Sequence, residues 1–579
     1  MNKDRLDRFF REGIHRNRGY ENIITIGMRG DGDVAMGSGD DSDNMQVLRQ
    51  VVDNQRRIIR EEYGQRDVPQ LWAIFTEVQR YYDAGFTVPD DVTLLFCDNN
   101  WGYIRRTGPQ QERQRSGGMG LYYHIDMNGG PWNDRWVNTT TIPKLREQLN
   151  LAYQTGIDRI WLINVGDLKP KEVPIDFIMH YAWDPAAVRA GDERAWLQRF
   201  AAGIFGQQHA AGVADIIARY SKYNLWRKPE VQTTDYFSVE NNGEARMLID
   251  KWEQLRNDAE RLRPLIPERL QDAFYQLVYY PAVASAGVAQ LYLYAGLHNH
   301  YARQGVMTHY ADSARRLFEL DKVLSRHYND SLAGGKWRGM MSDKHIGYTR
   351  WSMPPENAMP PLLPVDTGKR AVPGVADAAP AVCYAREISI PAYRYLRQQG
   401  DGWIFLPDLG RGKGCMGARD VTRPFDGNWA ACPYLEYEVE TGDTTRLQVA
   451  LGILPTQDVN PRRGLRVAVS VDGGEPRVID ARRGLVDTFD EYSSKHLKLS
   501  HALKPLPPHN RDLYLTGGGK HMRNEVFDNI RWLDDAFDVD GSSGRHIVRV
   551  YLVDPEIVLE RLIVNPDNDR PSYFGRWTE

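Results

Sequence analysis

The chain has 579 residues, which at roughly 150 residues per domain predicts about four domains, or one barrel with appended domains. Hydrophobic residues make up 42% and aromatic residues 11%, which excludes a disordered chain. The formal net charge is −4 and no run of like charge stands out, so the balance disfavours a nucleic-acid partner.

The first residues, MNKDRLDRFFREGIHRN, are charged and amphipathic and have neither the apolar core nor the cleavage site of a signal peptide. No stretch approaches about 18 apolar residues, so no membrane span is predicted and the chain as written carries no export signal. The cysteines are too scattered for a disulfide framework or a zinc site and are expected to be free thiols: Cys97, Cys383, Cys415 and Cys432.

Residues 1–185 alternate short apolar runs with helix-period segments, which predicts parallel strands joined by helices. The clearest helices are Asn44–Tyr63 and Ile142–Tyr153, and a sixth strand is expected near Ile175–His180. The five clearest strands are Asn22–Gly27, Leu71–Thr76, Val92–Cys97, Gly120–His124 and Arg159–Asn164.

Residues 186–350 carry long 3.6-period segments and predict a helical bundle. Residues 351–381 are rich in Pro, Ala and Gly and predict a linker. Residues 382–579 alternate apolar and polar positions between turn residues, which predicts an antiparallel β-sandwich. The predicted helices are Glu193–Phe205, Val213–Asn224, Gly243–Leu262, Gln271–Tyr301 and Met307–Asn329.

Polar and charged residues directly follow the five predicted strands. In parallel α/β architectures ligands meet the carboxyl ends of the strands, so this placement predicts a site at that edge. The residues are Arg29, Asp31 and Asp33 after the first strand, Glu77 after the second, Asp98 and Asn100 after the third, His124 and Asp126 after the fourth, and Asn164 after the fifth.

The segment Arg29-Gly-Asp-Gly-Asp33 has three alternative interpretations besides an active site. A calcium loop starting at Asp31 fails, because its fifth position is Ala35 and its twelfth is Ser42. A dinucleotide fingerprint is a weak match, since carboxylates would crowd a pyrophosphate. A structural Arg–Asp pair that only holds the loop stays open.

Glu77 is expected to emerge partly desolvated beside Trp72 and Phe75, which would raise the pKa of its carboxyl and suit a general acid. The alternative is a glutamate that complements the dipole of the next helix. Asp98 and Asn100 could orient water or bind hydroxyls, or cap a helix, and His124 could recognise a hydroxyl or an acidic group or be structural.

Five ordered motifs resemble the glycoside hydrolase family 115 α-glucuronidases: ENIITIGMRGDGD, FTEVQRYYDAG, LLFCDNNWGYIRR, YYHIDMNGGP and WLINVGDLKPKE. The resemblance continues more loosely through Lys336–Trp351 and into the C-terminal region. It implies a family architecture with a TIM-type β/α barrel, a helical domain and a C-terminal β-sandwich. Met127 departs from the aromatic residue expected after the H-x-D pair, which weakens inferred stacking there.

The resemblance implies an exo-acting, inverting enzyme that removes α-1,2-linked (4-O-methyl-)glucuronic acid from xylan, without metal or cofactor. Inversion needs a carboxylic acid and a carboxylate about 6.5–9.5 Å apart. Glu77 is the predicted acid, and Asp33 or Asp98 the predicted base. The substrate uronate would pair with Arg29, Lys169 or His124, and its hydroxyls would bind Asn100 and Asn164.

A TIM-type barrel has eight strands, but only five clear strands precede residue 185. The resemblance therefore implies that the chain begins inside the barrel and lacks the family's N-terminal domain and first strands. Glucuronoxylan or glucuronoxylo-oligosaccharides are the expected partners, no nucleic-acid or membrane partner is expected, and the resemblance allows a homodimer. The family implies secretion or a periplasmic location. Two other functions stay open: a non-catalytic carbohydrate-binding remnant and a glycosidase of another specificity.

Overall fold

The computed structural model confirms the multidomain α/β plus α plus β architecture. A five-stranded parallel sheet comes first, a set of helices follows, and two antiparallel sheets form the C-terminal part. The structure describes residues 3–31, 36, 40–64, 66–129, 132–365, 387–425, 427–483, 527–567 and 572–577.

The parallel sheet has the strand order β1-β2-β3-β4-β5, so all five predicted strands are confirmed and their carboxyl ends share one edge. Its strands are β1 (Ile24–Thr25), β2 (Gln70–Ile74), β3 (Val92–Cys97), β4 (Met119–His124) and β5 (Ile157–Asn164). The helices of this part are α1 (Lys3–Asn17), α2 (Asp41–Tyr63), α3 (Glu77–Asp83), α4 (Ile142–Gln154) and α5 (Glu172–Trp183).

The expected sixth strand near Ile175–His180 is wrong, because these residues lie within the helix α5. Its buried residues Val173, Phe177 and Tyr181 are spaced by four, so the apolar run has helical rather than strand periodicity. Short apolar runs do not separate a buried strand from a buried helix without that spacing.

The helical part is built by α6 (Glu193–Phe205), α7 (Gln207–Trp226), α8 (Glu244–Leu262), α9 (Gln271–Phe274), α10 (Tyr280–Arg303) and α11 (Tyr310–Arg326). The long helix predicted over Gln271–Tyr301 is interrupted by a π-helical turn at Tyr275–Tyr279. Pro281, in the first turn of α10, cannot donate a backbone hydrogen bond, which explains why regular α-helical bonding restarts there.

The C-terminal part pairs a six-stranded sheet with a five-stranded one, and apolar side chains of both sheets form one core. The strands are β6 (Ile388–Pro391), β7 (Arg397–Gln399), β8 (Trp403–Pro407), β9 (Gly414–Ala418), β10 (Tyr434–Glu440), β11 (Arg446–Ile453), β12 (Arg466–Val471), β13 (Arg477–Asp480), β14 (Arg531–Asp538), β15 (Arg545–Leu552) and β16 (Leu559–Val564). The sandwich prediction is confirmed in type.

Two predictions fall partly outside the described residues. Residues 351–365 of the predicted linker have no helix or strand, and the remainder, 366–381, lies outside the described ranges. Cys383 also lies outside them, whereas Cys97, Cys415 and Cys432 are buried free thiols. Among the helices that the structure describes, none is long and apolar enough to cross a membrane.

Candidate active site

Arg29 and Glu77 join the ends of β1 and β2 through a bidentate ion pair. Arg29 Nε lies 2.8 Å from Glu77 Oε1, and Arg29 Nη2 lies 2.9 Å from Oε2. Thr76 also donates its hydroxyl to Glu77 Oε2 over 2.5 Å. Burial alone would raise the pKa of Glu77, but these hydrogen bonds and the guanidinium charge lower it below its usual value. The expected rise of the Glu77 pKa is therefore wrong, and the carboxyl is ionised at neutral pH.

The backbone conformation of Thr76 precedes the helix that carries Glu77. Thr76 is the N-cap residue of α3 and has a φ of 49°, a positive value that is costly for a β-branched residue. Glu77 is the first residue of α3, so it also complements the helix dipole, which was the alternative interpretation. Sequence patterns gave no sign of this backbone strain.

Asp98 is fully buried and saturated with hydrogen bonds. Its Oδ1 accepts from the Asn100 amide at 3.0 Å and contacts His124 Nδ1 at 2.6 Å. Its Oδ2 accepts from the amides of Gly102 at 2.9 Å and His124 at 3.0 Å. Asp98 therefore holds the turn after β3 and orients the His124 ring, and it has no lone pair directed at solvent.

His124 and Asn164 stand opposite each other in the β4–β5 pairing. The His124 ring packs on Tyr122 with centroids 4.7 Å apart, and the Asn164 Oδ1 accepts from the Gly166 amide at 3.1 Å. Asn100 lies in the turn after β3 with φ 67°, a left-handed conformation that asparagine tolerates. The sheet thus brings Asp98, Asn100, His124 and Asn164 to one edge.

Lys169 lies on the rim of this edge. Its Nζ is 2.7 Å from Glu172 Oε1 and 4.2 Å from the centre of the Trp337 ring. Trp337 belongs to the Lys336–Trp351 segment that follows the helices, so that segment reaches the loop after β5. Asp33, the remaining predicted residue, lies outside the described residues.

The loop after β4 is held by residues that the sequence did not single out. Lys228 binds Asp134 and donates to Thr139 Oγ1 at 2.9 Å, and Glu230 Oε1 accepts from the amides of Arg135 and Trp136 at 2.9 and 3.0 Å. Residues 227–231 follow α7, so this anchor, called here the 227–231 brace, comes from the helical part.

The Lys336–Trp351 segment holds the same loop from its other side. The Asn133 amide donates to the Trp351 carbonyl at 3.1 Å, and Arg135 forms an ion pair with Asp343 at 3.4 Å. Beneath the turn after β3, Lys144 Nζ donates to the Trp101 carbonyl at 2.6 Å, and burial lowers the pKa of this lysine to about 7. Polar contacts from the 227–231 brace, the Lys336–Trp351 segment and Lys144 thus support this edge.

Sequence profiles identify the family. A profile described as glycosyl hydrolase family 115 matches residues 1–231, and one described as the family 115 C-terminal domain matches residues 382–577. The chain belongs to glycoside hydrolase family 115. The resemblance in the motifs is thereby confirmed, and the protein is a glycoside hydrolase by family. The predicted domain boundary at residue 185 stays a prediction, since the first family 115 profile continues to residue 231.

A solved family 115 structure shares the fold. It is a 4-O-methyl-α-glucuronidase with specificity for decorated arabinogalactans, is 24% identical and has a TM-score of 0.76. The match covers 98% of this chain and 67% of that chain. At this identity it establishes a common family 115 fold.

Two smaller matches involve about a third of the chain. They are the C-terminal family 6 carbohydrate-binding module of LamC from Zobellia galactanivorans, 12% identical with a TM-score of 0.17, and a family 35 module from Clostridium thermocellum, 11% identical with a TM-score of 0.18. Each covers 31% of this chain and 98% of the module. No curated protein sequence matches the chain.

Proposed function

We propose that this protein is an exo-acting, inverting α-glucuronidase that removes α-1,2-linked (4-O-methyl-)glucuronic acid side chains from xylan. The observation that carries the proposal is the row of carboxylates and cations at the carboxyl edge of the parallel sheet, in a chain of family 115. The family 115 structure with the same fold is a 4-O-methyl-α-glucuronidase, which supports the type of sugar removed.

The contacts of Glu77 and Asp98 favour different roles within this mechanism. Glu77, ionised by Arg29, suits the carboxylate that activates the attacking water better than the acid. Asp98, with four hydrogen bonds, suits positioning of His124. Asp33 is retained as the other candidate for the carboxylate pair that inversion requires.

The substrate uronate would be bound by cationic side chains of the edge. Arg29 and Lys169 are each paired with a carboxylate and only partly exposed, so they hold a fixed position for a charge-assisted hydrogen bond. His124, oriented by Asp98, and the amides of Asn100 and Asn164 would bind ring hydroxyls. A polymeric substrate of this kind fits a secreted or periplasmic enzyme.

The test is release of free uronic acid from glucuronoxylan by the purified chain, with decorated arabinogalactan as a second substrate. Proton NMR of the first product formed should show the β-anomer, as inversion of an α-linkage requires. Glu77→Gln should lose activity by about 10²–10⁴-fold. The matched control is Glu21→Gln, an exposed glutamate before β1, which should leave the rate unchanged.

Each outcome decides between the functions that stay open. Release from arabinogalactan alone would contradict the xylan substrate but keep the glucuronidase. Binding of glucuronoxylan without release by the wild type would favour the carbohydrate-binding function. Hydrolysis of neutral aryl glycosides without uronic acid release would indicate a glycosidase of another specificity.

A further inference from the structure

Asp126 differs from the other described carboxylates at the carboxyl edge of the parallel sheet. Glu77 receives two hydrogen bonds from Arg29 and one from Thr76, and Asp98 makes four hydrogen bonds with three residues. Asp126 is only 6% exposed, yet its carboxyl makes no hydrogen bond to any residue within the described ranges. A buried carboxyl without a donor is unfavourable as an anion but tolerated as a neutral acid.

The position of Asp126 is fixed by its neighbours rather than by its own side chain. The Ile125 amide donates to the Asn164 carbonyl at 3.0 Å, and the Met127 amide donates to the Asp134 carbonyl at 3.0 Å. These bonds hold the backbone on both sides of Asp126. A carboxyl that extends from a fixed backbone and has unused hydrogen-bonding capacity suits a proton donor.

The Asp126 carboxyl lies against the turn that follows β5. A Cβ added to Gly166 would come within 2.2 Å of the carboxyl carbon, so the side chain packs directly on the glycine. The same turn carries Asn164. Asp126 therefore packs on the turn that holds the Asn164 side chain, and it lies two residues after His124 in sequence.

The charged groups that face Asp126 already have partners of their own. Lys171 donates to the Val137 carbonyl at 3.0 Å, and Arg135 is paired with Asp343. Asp134, bound by Lys228, and Asp343 add negative charge that opposes ionisation. Burial raises the pKa of Asp126, with Asp134 and Asp343 adding to it and Lys171 and Arg135 opposing it.

We propose that Asp126 is the catalytic acid, donating its carboxyl proton to the glycosidic oxygen that leaves. This assignment rests on the proposed glucuronidase function. The bond between the anomeric carbon and the glycosidic oxygen breaks, and the oxygen takes the Asp126 proton to become a sugar hydroxyl. Water attacks the anomeric carbon and gives its proton to the catalytic base, which leaves free uronic acid, a protonated base and Asp126 as a carboxylate.

The test compares two substrates of the Asp126→Asn variant. Hydrolysis of glucuronoxylan needs protonation of the leaving sugar, whereas α-glucuronosyl fluoride releases fluoride without an acid. We expect a loss of about 10²–10⁴-fold on glucuronoxylan, less than about 10-fold loss on the fluoride, and disappearance of the alkaline limb of the pH profile. Asp158→Asn, an exposed aspartate at the other end of β5, is the matched control.

Equal losses on both substrates would overturn the assignment, because they would indicate a positioning role. An unchanged rate on glucuronoxylan would overturn it as well. If Asp33→Asn instead loses activity on glucuronoxylan but not on the fluoride, Asp33 is the catalytic acid. Retained turnover of the fluoride shows that the variant is folded.

A second measurement tests the protonation of Asp126 independently of the glucuronidase proposal. If the wild type hydrolyses neither substrate, the proposed function fails. The protonation of Asp126 is then read from carboxyl ¹³C shifts of aspartate-labelled protein, assigned by comparison with Asp126→Asn. An Asp126 carboxyl that titrates at or below the ordinary pKa of an aspartate would overturn the assignment, and a raised pKa is the expected result.

Discussion

Glu77 and Asp126 show that burial alone does not fix the charge of a carboxyl at a strand end. Both are buried, at 5% and 6% exposure, but the pKa of Glu77 is lowered while that of Asp126 is raised. The difference comes from the donors, since Glu77 has Arg29 and Thr76 whereas Asp126 has none among the residues described. The strand-end pattern predicted where these residues gather but not which donors reach them.

The Arg29–Glu77 pair predicts a pH-dependent stability. Glu77→Gln should lower the free energy of unfolding at pH 7 by roughly 1–3 kcal/mol, because two charge-assisted hydrogen bonds weaken. The folded pKa of Glu77 is lowered, so its contribution is complete above the unfolded pKa of about 4.3 and disappears as pH falls through the folded pKa. Urea unfolding at several pH values checks this, and a difference that stays constant into acid would contradict it.

Asp98 predicts strong coupling to His124. Asp98→Ala leaves the amides of Asn100, Gly102 and His124 without their acceptor, so the free energy of unfolding should fall by at least about 2 kcal/mol. A double-mutant cycle with His124→Ala should give a coupling energy above about 0.5 kcal/mol. Asp158→Ala, which is exposed, should change stability by less than about 0.5 kcal/mol. Additive effects at Asp98 and His124 would contradict a direct interaction.

At the scale of elements, the strands were predictable because each is a short apolar run followed directly by polar residues. The run around Ile175–His180 is also short and largely apolar, and only its four-residue spacing marks it as α5. The interruption before α10 depends on Pro281 and on tertiary packing, so the helical spacing of apolar residues over Gln271–Tyr301 could not by itself indicate it. Local pattern therefore predicted where elements lie better than their type or continuity.

Two glycines of α10 allow a matched test of its packing. A Cβ at Gly296 would lie 2.2 Å from the Thr234 carbonyl oxygen, whereas nothing lies within 4 Å of one at Gly287. Gly296→Ala should therefore destabilise the protein by about 1–3 kcal/mol through overpacking. Gly287→Ala should be neutral or stabilising by up to about 1 kcal/mol, because alanine favours the helix. Thermal unfolding of both variants checks this, and equal melting temperatures would contradict the close approach.

At the scale of the whole molecule, the C-terminal residues lock the sandwich to the helices. Phe574 stacks edge-on to Trp226 with centroids 5.0 Å apart, and its amide donates to Glu244 Oε1 at 2.8 Å. Trp226 Nε1 donates to the Arg411 carbonyl at 3.0 Å, and Arg411 forms a fully buried ion pair with Glu560. We expect the helices and the sandwich to unfold together in one transition.

Glu244 should make this junction sensitive to pH. Burial raises the pKa of Glu244 to about 7, so its protonated form stabilises the fold below the unfolded pKa of about 4.3. This stability is lost as pH rises through about 7. The free energy of unfolding of the wild type, minus that of Glu244→Gln, should therefore fall between about pH 4 and 7 and stay level above. A flat difference in denaturant titrations would show that Glu244 does not titrate with folding.

The sequence indicated the row of strand-end residues but not the groups that support them. Lys228 and Glu230 lie about 100 positions after the loop that they hold, and no local period or motif links the two segments. Contacts of this kind follow from how the helices pack on the sheet. The strand-end residues were therefore easier to predict than the groups that support them.

The 227–231 brace also limits how this enzyme can be recombined with its relatives. A chimera joined near residue 186 would inherit the loop after β4 from one parent and Glu230, which holds the amides of Arg135 and Trp136, from the other. Arg135 and Asp343, which form an ion pair, would likewise come from different parents. An exchange that keeps the carboxyl edge of the sheet and its supporting contacts together must carry residues up to Trp351 from one parent.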